Sequence, residues 1–336
     1  MIKYLIKRLL LIIPTLLGIS ICCFIIIQFL PGGPIEEAIQ RISSRDKGGG
    51  LSTTRVNQKE IERLKKIYGF DKHPVEQYFI WLFKVIRGDF GESFRTYRPV
   101  LQEIMERIPI SLIFGLSGFL ISYIICIPLG IKKALKHNTI FDTATSVIVY
   151  IGYSIPGFAL GVLLLVLFGG GTFLNLFPLS GFVSDNFEYL KWYEKIFDVI
   201  HHMVLPVICY TISGFAVLTI VMKNSLMDEL GKDYIKTAMA KGLSYKKAIF
   251  NHALRNALIP IATGIGGLLS VFFAGSILIE RVFSIPGMGL LGYEAMLQRN
   301  YPVVLGIIMI QSLFNLLGRI ISDISLVLVD PRITFE

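Results

Sequence analysis

The chain has 336 residues, of which 53% are hydrophobic and only 17% are charged. Soluble domains usually carry about a quarter charged residues, so this composition, together with apolar runs of about 20 residues, indicates a membrane protein. The net charge of +9 is explained by basic residues that collect in loops on one side of a bilayer. We therefore expect a lipid bilayer around the chain and no nucleic-acid partner.

Six apolar stretches are long enough to cross a bilayer, and they predict an all-α integral membrane protein with six transmembrane helices. The stretches are Leu9–Leu30, Ile110–Ile131, Thr143–Phe168, Met203–Met222, Leu258–Ile279 and Val303–Val329. The first stretch follows a basic N-terminus and is longer than the apolar core of a signal peptide. We therefore interpret it as a retained span.

The charges of the loops predict the orientation of these spans. The loop between the second and third spans contains Lys132, Lys133 and Lys136, and the loop between the fourth and fifth is also rich in lysine. The loop between the third and fourth spans is mainly acidic. Because basic loops stay in the cytoplasm, both termini and the loop after the fourth span are predicted to be cytoplasmic.

The spans divide the chain into four predicted parts. These are the N-terminal transmembrane helix (1–30), a large extracytoplasmic loop or cap (31–109), a five-helix core (110–329) that contains a cytoplasmic loop (224–257), and a cytoplasmic tail (330–336). Within the first loop, RISSRDKGGG is typical of a flexible segment. NQKEIERLKKIYGF and VEQYFIWLFKVI are typical of short amphipathic helices.

The basic segment AMAKGLSYKKAIFNHALRNALIP separates the fourth and fifth spans. One stripe of a helix is formed by Tyr234, Ile235, Ala238, Met239 and Gly242. Gly242 permits a sharp bend, and Ser244 is placed to cap a second helix. Such an element suits either a surface of anionic lipid or a groove on a partner protein, and the residues alone leave both uses open.

At these residues the sequence resembles the membrane subunits of ATP-binding-cassette importers, in the branch that transports dipeptides and oligopeptides. Their coupling loop has a loose E-A-A-x-x-x-G pattern, and this chain has KTAMAKG, with Lys236 and Thr237 in place of the first two motif residues. GLSYKKAIFNHALRNALIP, RGDFGESFRTYRPVLQEIMERIPISL, ERVFSIPGMGLLGYEAMLQRNYPVVLG and VDPRI are also similar to that branch. The long first loop and the insert before the fourth span resemble the subgroup that takes up microcin C and related peptides.

The resemblance implies a type I importer permease fold in a bacterial inner membrane. It also implies a second, similar permease subunit, two ATP-binding-cassette ATPases, an extracytoplasmic peptide-binding protein and a peptide substrate. The residues implied to couple the chain to an ATPase are Lys236, Thr237, Ala238, Met239, Ala240, Lys241, Gly242, Leu243 and Ser244. Residues that contact the peptide are not identified.

The sequence has no nucleotide-binding motif of its own. Gly231 and Lys232 are followed by Asp233, and no glycine precedes them at the spacing of G-x-x-x-x-G-K-[ST]. No triad of nucleophile, base and acid and no paired carboxylates stand out. We therefore expect a non-catalytic subunit without a cofactor, whose ATPase is a separate chain.

Four charged residues near the ends of spans are candidates for a gate or a subunit contact. Arg319 and Asp323 lie four apart in the sixth span, so we expect them to pair along the helix. Glu280 and Arg281 are expected at the outer membrane interface, facing the binding protein or closing an outer gate. His201 and His202 lack a third ligand nearby, and no CxxC motif is present, so no metal site is expected.

The main alternative function is a self-contained secondary transporter or a channel for small solutes. A secondary carrier needs an ion site near the membrane midplane. The first five spans contain no acidic residue near their middle, which counts against a proton-coupled carrier. A structural scaffold is a further alternative, and the specific coupling segment makes it less favourable.

Overall fold

The computed structural model describes residues 2–29, 72–170, 173–265 and 276–329. Within these ranges the regular structure is helical, and β-pairing is limited to the isolated bridges Glu92–Pro99 and Gly169–Phe177. The all-α prediction is therefore confirmed for the described part of the chain.

The helices follow one another through most of the described sequence. They are α1 (Ile2–Phe29), α2 (Pro74–Ile86), α3 (Val100–Leu135), α4 (Ile140–Ser154), α5 (Gly157–Phe168), α6 (Trp192–Leu230), α7 (Asp233–Ala240), α8 (Tyr245–Ala248), α9 (Leu254–Ala257), α10 (Ile259–Gly264), α11 (Ile277–Val282), α12 (Met288–Leu297) and α13 (Tyr301–Val329). A 3₁₀ turn, Phe187–Tyr189, precedes α6, and a π-helical turn, Ile249–Ala253, joins α8 to α9.

Four described helices are long and apolar enough to cross a membrane, and a bent pair of helices raises the number to five. The four segments are Tyr4–Ile26, Val100–Leu135, Trp192–Ile212 and Tyr301–Leu328. The count of six is not confirmed, because the predicted fifth span, Leu258–Ile279, includes residues 266–275, which lie outside the described residues. Apolar side chains on the outside of these helices, such as Leu10, Ile124 and Ile148, are exposed, as lipid-facing residues are.

The third predicted span, Thr143–Phe168, is not one continuous helix. The structure breaks it into α4 and α5, which meet at 94°. The cause is Pro156, which disfavours helical backbone at the residue before it. Ile155 accordingly has extended backbone, with ψ of 119°. The apolar pattern predicted the length of this stretch, and the proline decides its shape.

The fourth predicted span, Met203–Met222, is the middle of a much longer helix. Helix α6 has 39 residues, which at about 1.5 Å per residue gives a length of roughly 58 Å. The hydrocarbon core of a bilayer is only about 30 Å thick. The ends of α6 therefore extend beyond the apolar core, and its C-terminal end leads directly to the segment around Gly242.

The chain divides into two compact units. The first comprises Met1–Leu9, Arg107–Leu290 and Phe314–Glu336. In it, α3 and α6 approach closely at Gly130, because a Cβ built there would lie 2.6 Å from the Cβ of Met222. Next to this contact is an apolar group that we call the support cluster, formed by Ala134, Met222, Leu226, Ile235, Ala248, Ile249, Ala253, Ala257 and Ile261.

The second unit comprises Leu10–Glu106 and Leu291–Leu313. Asn300 is buried there, with its Oδ1 accepting the N–H of Phe94 at 3.0 Å and its Nδ2 donating to the Ser93 hydroxyl at 2.8 Å. The amphipathic helix predicted for VEQYFIWLFKVI is confirmed as α2. The stretches RISSRDKGGG and NQKEIERLKKIYGF and the tail 330–336 lie outside the described residues, and the predicted four-part division stays a prediction.

Candidate functional site

The segment that separates the fourth and fifth predicted spans forms a helix, a bend and a second helix, which we call the elbow (residues 233–257). Its first helix, α7, ends in a two-bond capping arrangement. The N–H of Gly242 donates to the carbonyl of Met239 at 2.9 Å, and that of Leu243 donates to the carbonyl of Ala238 at 3.2 Å. This is the Schellman pattern, which satisfies carbonyls that the end of a helix leaves without a partner.

Gly242 occupies the position of that motif that requires a left-handed backbone. Its φ is +91°, and a Cβ built on it would meet no atom within 4 Å. The requirement for glycine is therefore one of backbone conformation, since an L side chain in left-handed helical geometry costs about 1–2 kcal/mol. The predicted bend at Gly242 is confirmed. The second helix, α8, begins after Ser244 as predicted, although the Ser244 side chain makes no capping hydrogen bond.

One side of the elbow packs against α6. Ile235 is 2% exposed, and Ala248, Ile249 and Ala253 are similarly buried in the support cluster. The predicted stripe is correct for the buried Ile235 and for Tyr234 and Ala238, which pack against the cluster. It is wrong for Met239, which is 42% exposed. The buried part of the stripe therefore ends at Ala238, before the bend.

The other side of the elbow is a free surface of the chain. The predicted coupling residues on it are exposed: Lys236, Thr237, Met239, Ala240, Lys241, Gly242 and Ser244. Ala238 and Leu243 are half-buried beneath them. Short side chains occupy the bend at Gly242, which we call the apex, and lysines surround it. Lys246 and Lys247 are also exposed. A partner can therefore approach the apex closely, and acidic groups on the partner would be attracted to the lysines.

A hydrogen-bonded group fixes the elbow to the end of α6. The Glu229 carboxylate accepts from the hydroxyl of Tyr234 at 2.6 Å, from Nδ2 of Asn256 at 3.4 Å and from Nζ of Lys232 at 2.6 Å. Nδ2 of Asn256 also lies 3.2 Å from the Tyr234 hydroxyl. These contacts tie α6, α7 and α9 together. Sequence reasoning did not single out Glu229 or Asn256, because their contact depends on a bend that brings residues 27 positions apart together.

Two pKa shifts follow from this arrangement. Burial alone would raise the pKa of the Glu229 carboxyl, but the hydrogen bonds from Lys232, Tyr234 and Asn256 outweigh it and hold the pKa below its usual range. Burial, together with the hydrogen bond to Glu229, raises the pKa of Tyr234 to about 12. At neutral pH, Glu229 is therefore an ionised acceptor and Tyr234 a protonated donor.

The π-helical turn Ile249–Ala253 is a second feature that the sequence analysis missed. It inserts a wider turn between α8 and α9, and such turns occur frequently at functional sites. The insertion keeps Ile249 and Ala253 buried while His252 is exposed. No residue type marks this change of helical period, so the apolar pattern alone could not reveal it.

Glu280 and Arg281 differ in their surroundings. Glu280 is 1% exposed, its Oε2 accepts the N–H of Leu290 at 2.6 Å, and its Oε1 lies 3.5 Å from the Tyr210 hydroxyl. The expectation that Glu280 faces outward is therefore wrong, because the following turn folds back over the carboxylate. A Cβ at Gly287 would lie 2.4 Å from Oε1, which shows how closely that turn approaches. Arg281 is exposed as expected, and a gating role for either residue stays a prediction.

The expected pairing of Arg319 with Asp323 is also wrong. Asp323 instead accepts a hydrogen bond from the Tyr4 hydroxyl at 3.1 Å, and its Oδ2 lies 3.5 Å from Nε of Arg8. Helix α1 supplies these partners because its first turns pack beside the end of α13. Arg319 points away and is exposed, so it remains a candidate for a contact with another subunit.

The two adjacent histidines are held by main-chain carbonyls. The ring of His201 lies 2.6 Å from the carbonyl of Leu176, and Nδ1 of His202 lies 2.8 Å from the carbonyl of Asp198. Among the described residues, no group of three or more His, Cys, Asp or Glu side chains has the arrangement of a metal site. These contacts give His201 a structural partner in the loop before α6 and His202 a partner within α6.

Comparison with known proteins places the elbow inside a recognised family pattern. A family model described as "Binding-protein-dependent transport system inner membrane component" matches residues 126–335, which is more than half of the chain. The matched range includes the C-terminal residues 126–135 of α3, all of α6 and the whole elbow.

Individual relatives match the chain over nearly its full length. The peptidoglycan transport system permease protein YejB of Agrobacterium fabrum (strain C58) is 42% identical and covers 99% of this chain and 98% of its own. The inner membrane ABC transporter permease protein YejB of Escherichia coli O157:H7 is 44% identical, covering 99% of both. The oligopeptide transport system permease protein AppB of Bacillus subtilis (strain 168) is 34% identical over the whole of both chains.

Proposed function

Because the chain belongs to the family of binding-protein-dependent transport system inner membrane components, we propose that it is the permease subunit of an ATP-driven peptide importer. It forms half of the path through the membrane, and the energy comes from ATP hydrolysed by separate subunits. Relatives similar over their whole length are named as permeases for oligopeptides, dipeptides and peptidoglycan. These names support a peptide, including a cell-wall peptide, as the substrate class.

The exposed apex of the elbow is the observation that carries the coupling assignment. Its buried side is fixed to α6 by the support cluster and by Glu229, so a displacement of the apex moves α6 with it. Its free side presents short side chains and lysines at a helix-ending glycine. Residues 236–244 therefore fit a cleft on a cytoplasmic ATPase, and closure of the ATPase dimer switches the permease between outward and inward access.

The proposed importer contains four further protein partners. They are a second permease subunit of similar fold, two ATP-binding-cassette ATPases and an extracytoplasmic peptide-binding protein. The family description, which names both binding-protein dependence and the inner membrane, supports this composition. The chain itself is a non-catalytic subunit, because its sequence lacks a nucleotide-binding motif.

We propose an orientation with both termini and the elbow in the cytoplasm, in a bacterial inner membrane. The basic loop before α4, the mainly acidic loop after α5 and the lysine-rich segment between α6 and α10 support it. A cysteine introduced at Lys246 should react with a membrane-impermeant maleimide only after cells are permeabilised. One introduced at Lys191 should react in intact cells. Labelling of the Lys246 site in intact cells would contradict both the orientation and the coupling assignment.

The alternative of a self-contained secondary transporter is not favoured. Homologues along the full chain are ATP-driven permease subunits, and a secondary carrier would have no use for an elbow with an exposed, lysine-rimmed apex. Uptake of peptide by the purified chain alone, driven by an ion gradient, would support that alternative.

A substitution at Gly242 tests the coupling assignment directly. In the complete importer reconstituted in proteoliposomes, Gly242→Asp should reduce ATP-dependent peptide uptake by at least about tenfold, because it adds bulk and negative charge at the apex and strains a left-handed backbone. The matched control is Gly181→Asp, since Gly181 has a φ of +90° and lies outside the elbow. Full uptake by the Gly242 variant, assembled normally, would show that the apex does not couple the two subunits.

A further inference from the structure

Buried Lys133 and Asp142 meet the partly buried Lys223 where α3, α4 and α6 come together. Oδ1 of Asp142 lies 3.0 Å from Nζ of Lys133. Nζ of Lys223 donates to both carboxylate oxygens, at 2.9 Å and 2.7 Å. The N–H of Asn138 and Nδ1 of His137 each lie 3.3 Å from Oδ2. We call Lys133, Asp142 and Lys223 the Asp142 cluster.

The cluster is buried and its hydrogen bonds are satisfied. The Lys133 side chain is 1% exposed and that of Asp142 is 7% exposed. Nζ of Lys133 also donates to the Asp142 carbonyl and to the hydroxyls of Thr145 and Ser146, each at 2.8 Å. Well-packed apolar side chains often stabilise such a position as well as buried ions do. Ion pairs differ from apolar contacts in being directional. A carboxylate held by two lysines permits one register between the helices, whereas helices joined only by apolar contacts can shift along each other.

The position of the cluster connects it to the elbow. Lys223 precedes the last turns of α6, and its neighbour Met222 belongs to the support cluster that holds Ile235 of the elbow. On the other side, Lys133 is followed by Ala134, which belongs to the same support cluster. The close backbone approach at Gly130 lies one turn before Lys133. The α3–α4 hairpin is therefore held to α6 by a backbone contact, an apolar contact and an ionic one, all beside the elbow.

We propose that the Asp142 cluster makes the α3–α4 hairpin move with α6 when the elbow is displaced, so that Lys133, Asp142 and Lys223 are positioning residues for transport. The proposal rests on the proposed function of the elbow. In this proposal the elbow first moves α6, and α6 then moves α3 and α4 through the Asp142 cluster. Without the ionic contact, α6 would slip past the hairpin and ATP would be hydrolysed with less transport.

The test replaces the whole cluster with apolar residues of similar size, so that no buried charge is left unpaired. The variant is Lys133→Met/Asp142→Leu/Lys223→Met, measured in the reconstituted importer with its ATPases and binding protein. We expect the complex to assemble and to hydrolyse ATP, while the number of peptides transported per ATP falls about tenfold, within the range for mutations along a coupling network. A merely structural role predicts an unchanged ratio, and that result would overturn the proposal.

The Gly242→Asp variant in the same vesicles separates the two proposals. If it also leaves the peptide-to-ATP ratio and the uptake rate unchanged, the function proposed for the elbow fails. If it abolishes uptake while the apolar triple variant transports normally, only the role of the Asp142 cluster fails.

A distance measurement in the otherwise native protein keeps the proposal testable if the triple variant does not assemble. Spin labels at Lys136 and Asp228, both exposed, report the separation between the α3–α4 loop and the end of α6, in a background with Cys22 and Cys23 replaced by serine. The peak of the distance distribution should be the same in the nucleotide-free and ATP-trapped importer. A displaced peak would show that the hairpin and α6 move independently, and would overturn the proposal.

Discussion

Two buried carboxylates among the described residues of the first unit, Asp142 and Glu280, are stabilised in different ways. Asp142 contacts the side-chain ammonium groups of two lysines from different helices. Glu280 accepts the main-chain N–H of Leu290, in the first turn of α12, and is even less exposed. Asp142 thus fixes how separate helices align, whereas Glu280 fixes the local shape of one turn. The loss in free energy of unfolding when either charge is removed should depend on which neighbouring groups then lack a partner, and not on burial alone.

The largest effect is expected for Asp142→Asn. The substitution leaves the buried Lys133 and the partly buried Lys223 beside a neutral amide, and breaking a buried ion pair in this way costs about 3–5 kcal/mol. The free energy of unfolding, measured by denaturant titration in detergent micelles, should fall by that amount. Adding Lys133→Met to the same chain should recover part of the loss, because one unpaired charge is removed. A loss below about 1 kcal/mol would contradict the buried pairing.

A smaller effect is expected for Glu280→Gln. The amide keeps an oxygen to accept the N–H of Leu290 and leaves no buried lysine unpaired, but its NH₂ group has no evident acceptor in the turn. We expect a cost of about 1–3 kcal/mol, typical of one unsatisfied buried polar group. The same titration compares the two variants. If Glu280→Gln lowers the free energy of unfolding more than Asp142→Asn does, burial and not the loss of a charged partner determines the cost.

Glu229 provides a third case, with a smaller cost that depends on pH. Glu229→Gln should cost about 1–2 kcal/mol at pH 7, because it weakens hydrogen bonds to a charged acceptor. The folded pKa lies below its usual value near 4.5, so this stabilisation is present above that value and is lost as the pH falls through the folded pKa. Native and variant stability curves should therefore converge in acid. Glu76→Gln, whose ion pair with Lys72 is exposed, is the control and should change stability by less than about 0.5 kcal/mol.

Part of the fold could be predicted because it depends on local pattern. The apolar runs predicted α1, α3 and α13, and the amphipathic period predicted α2. The motif KTAMAKG predicted that the helix would bend at Gly242, since a helix-ending motif involves only a few consecutive residues. The break between α4 and α5 also has a local cause in Pro156, but the apolar run concealed it.

Contacts between distant residues could not be predicted in the same way. The sequence suggested that Asp323 would pair with Arg319 four residues away, and the structure pairs it with Arg8 of the first helix. Glu280 appeared to lie at an interface, and a turn ten residues later covers it. In both cases the helix was predicted correctly, but the residue that contacts the carboxylate comes from another helix.

Local sequence was enough to show that this chain is a helical membrane protein, where most of its apolar helices lie, and that a basic segment bends at Gly242. These properties follow from hydropathy and backbone chemistry, which act over one or two helical turns. Which charges become buried and paired depends instead on how the helices pack. Lys133, Asp142 and Lys223 are ordinary loop and interface residues until α3, α4 and α6 pack together. Desolvation then makes their mutual contacts obligatory.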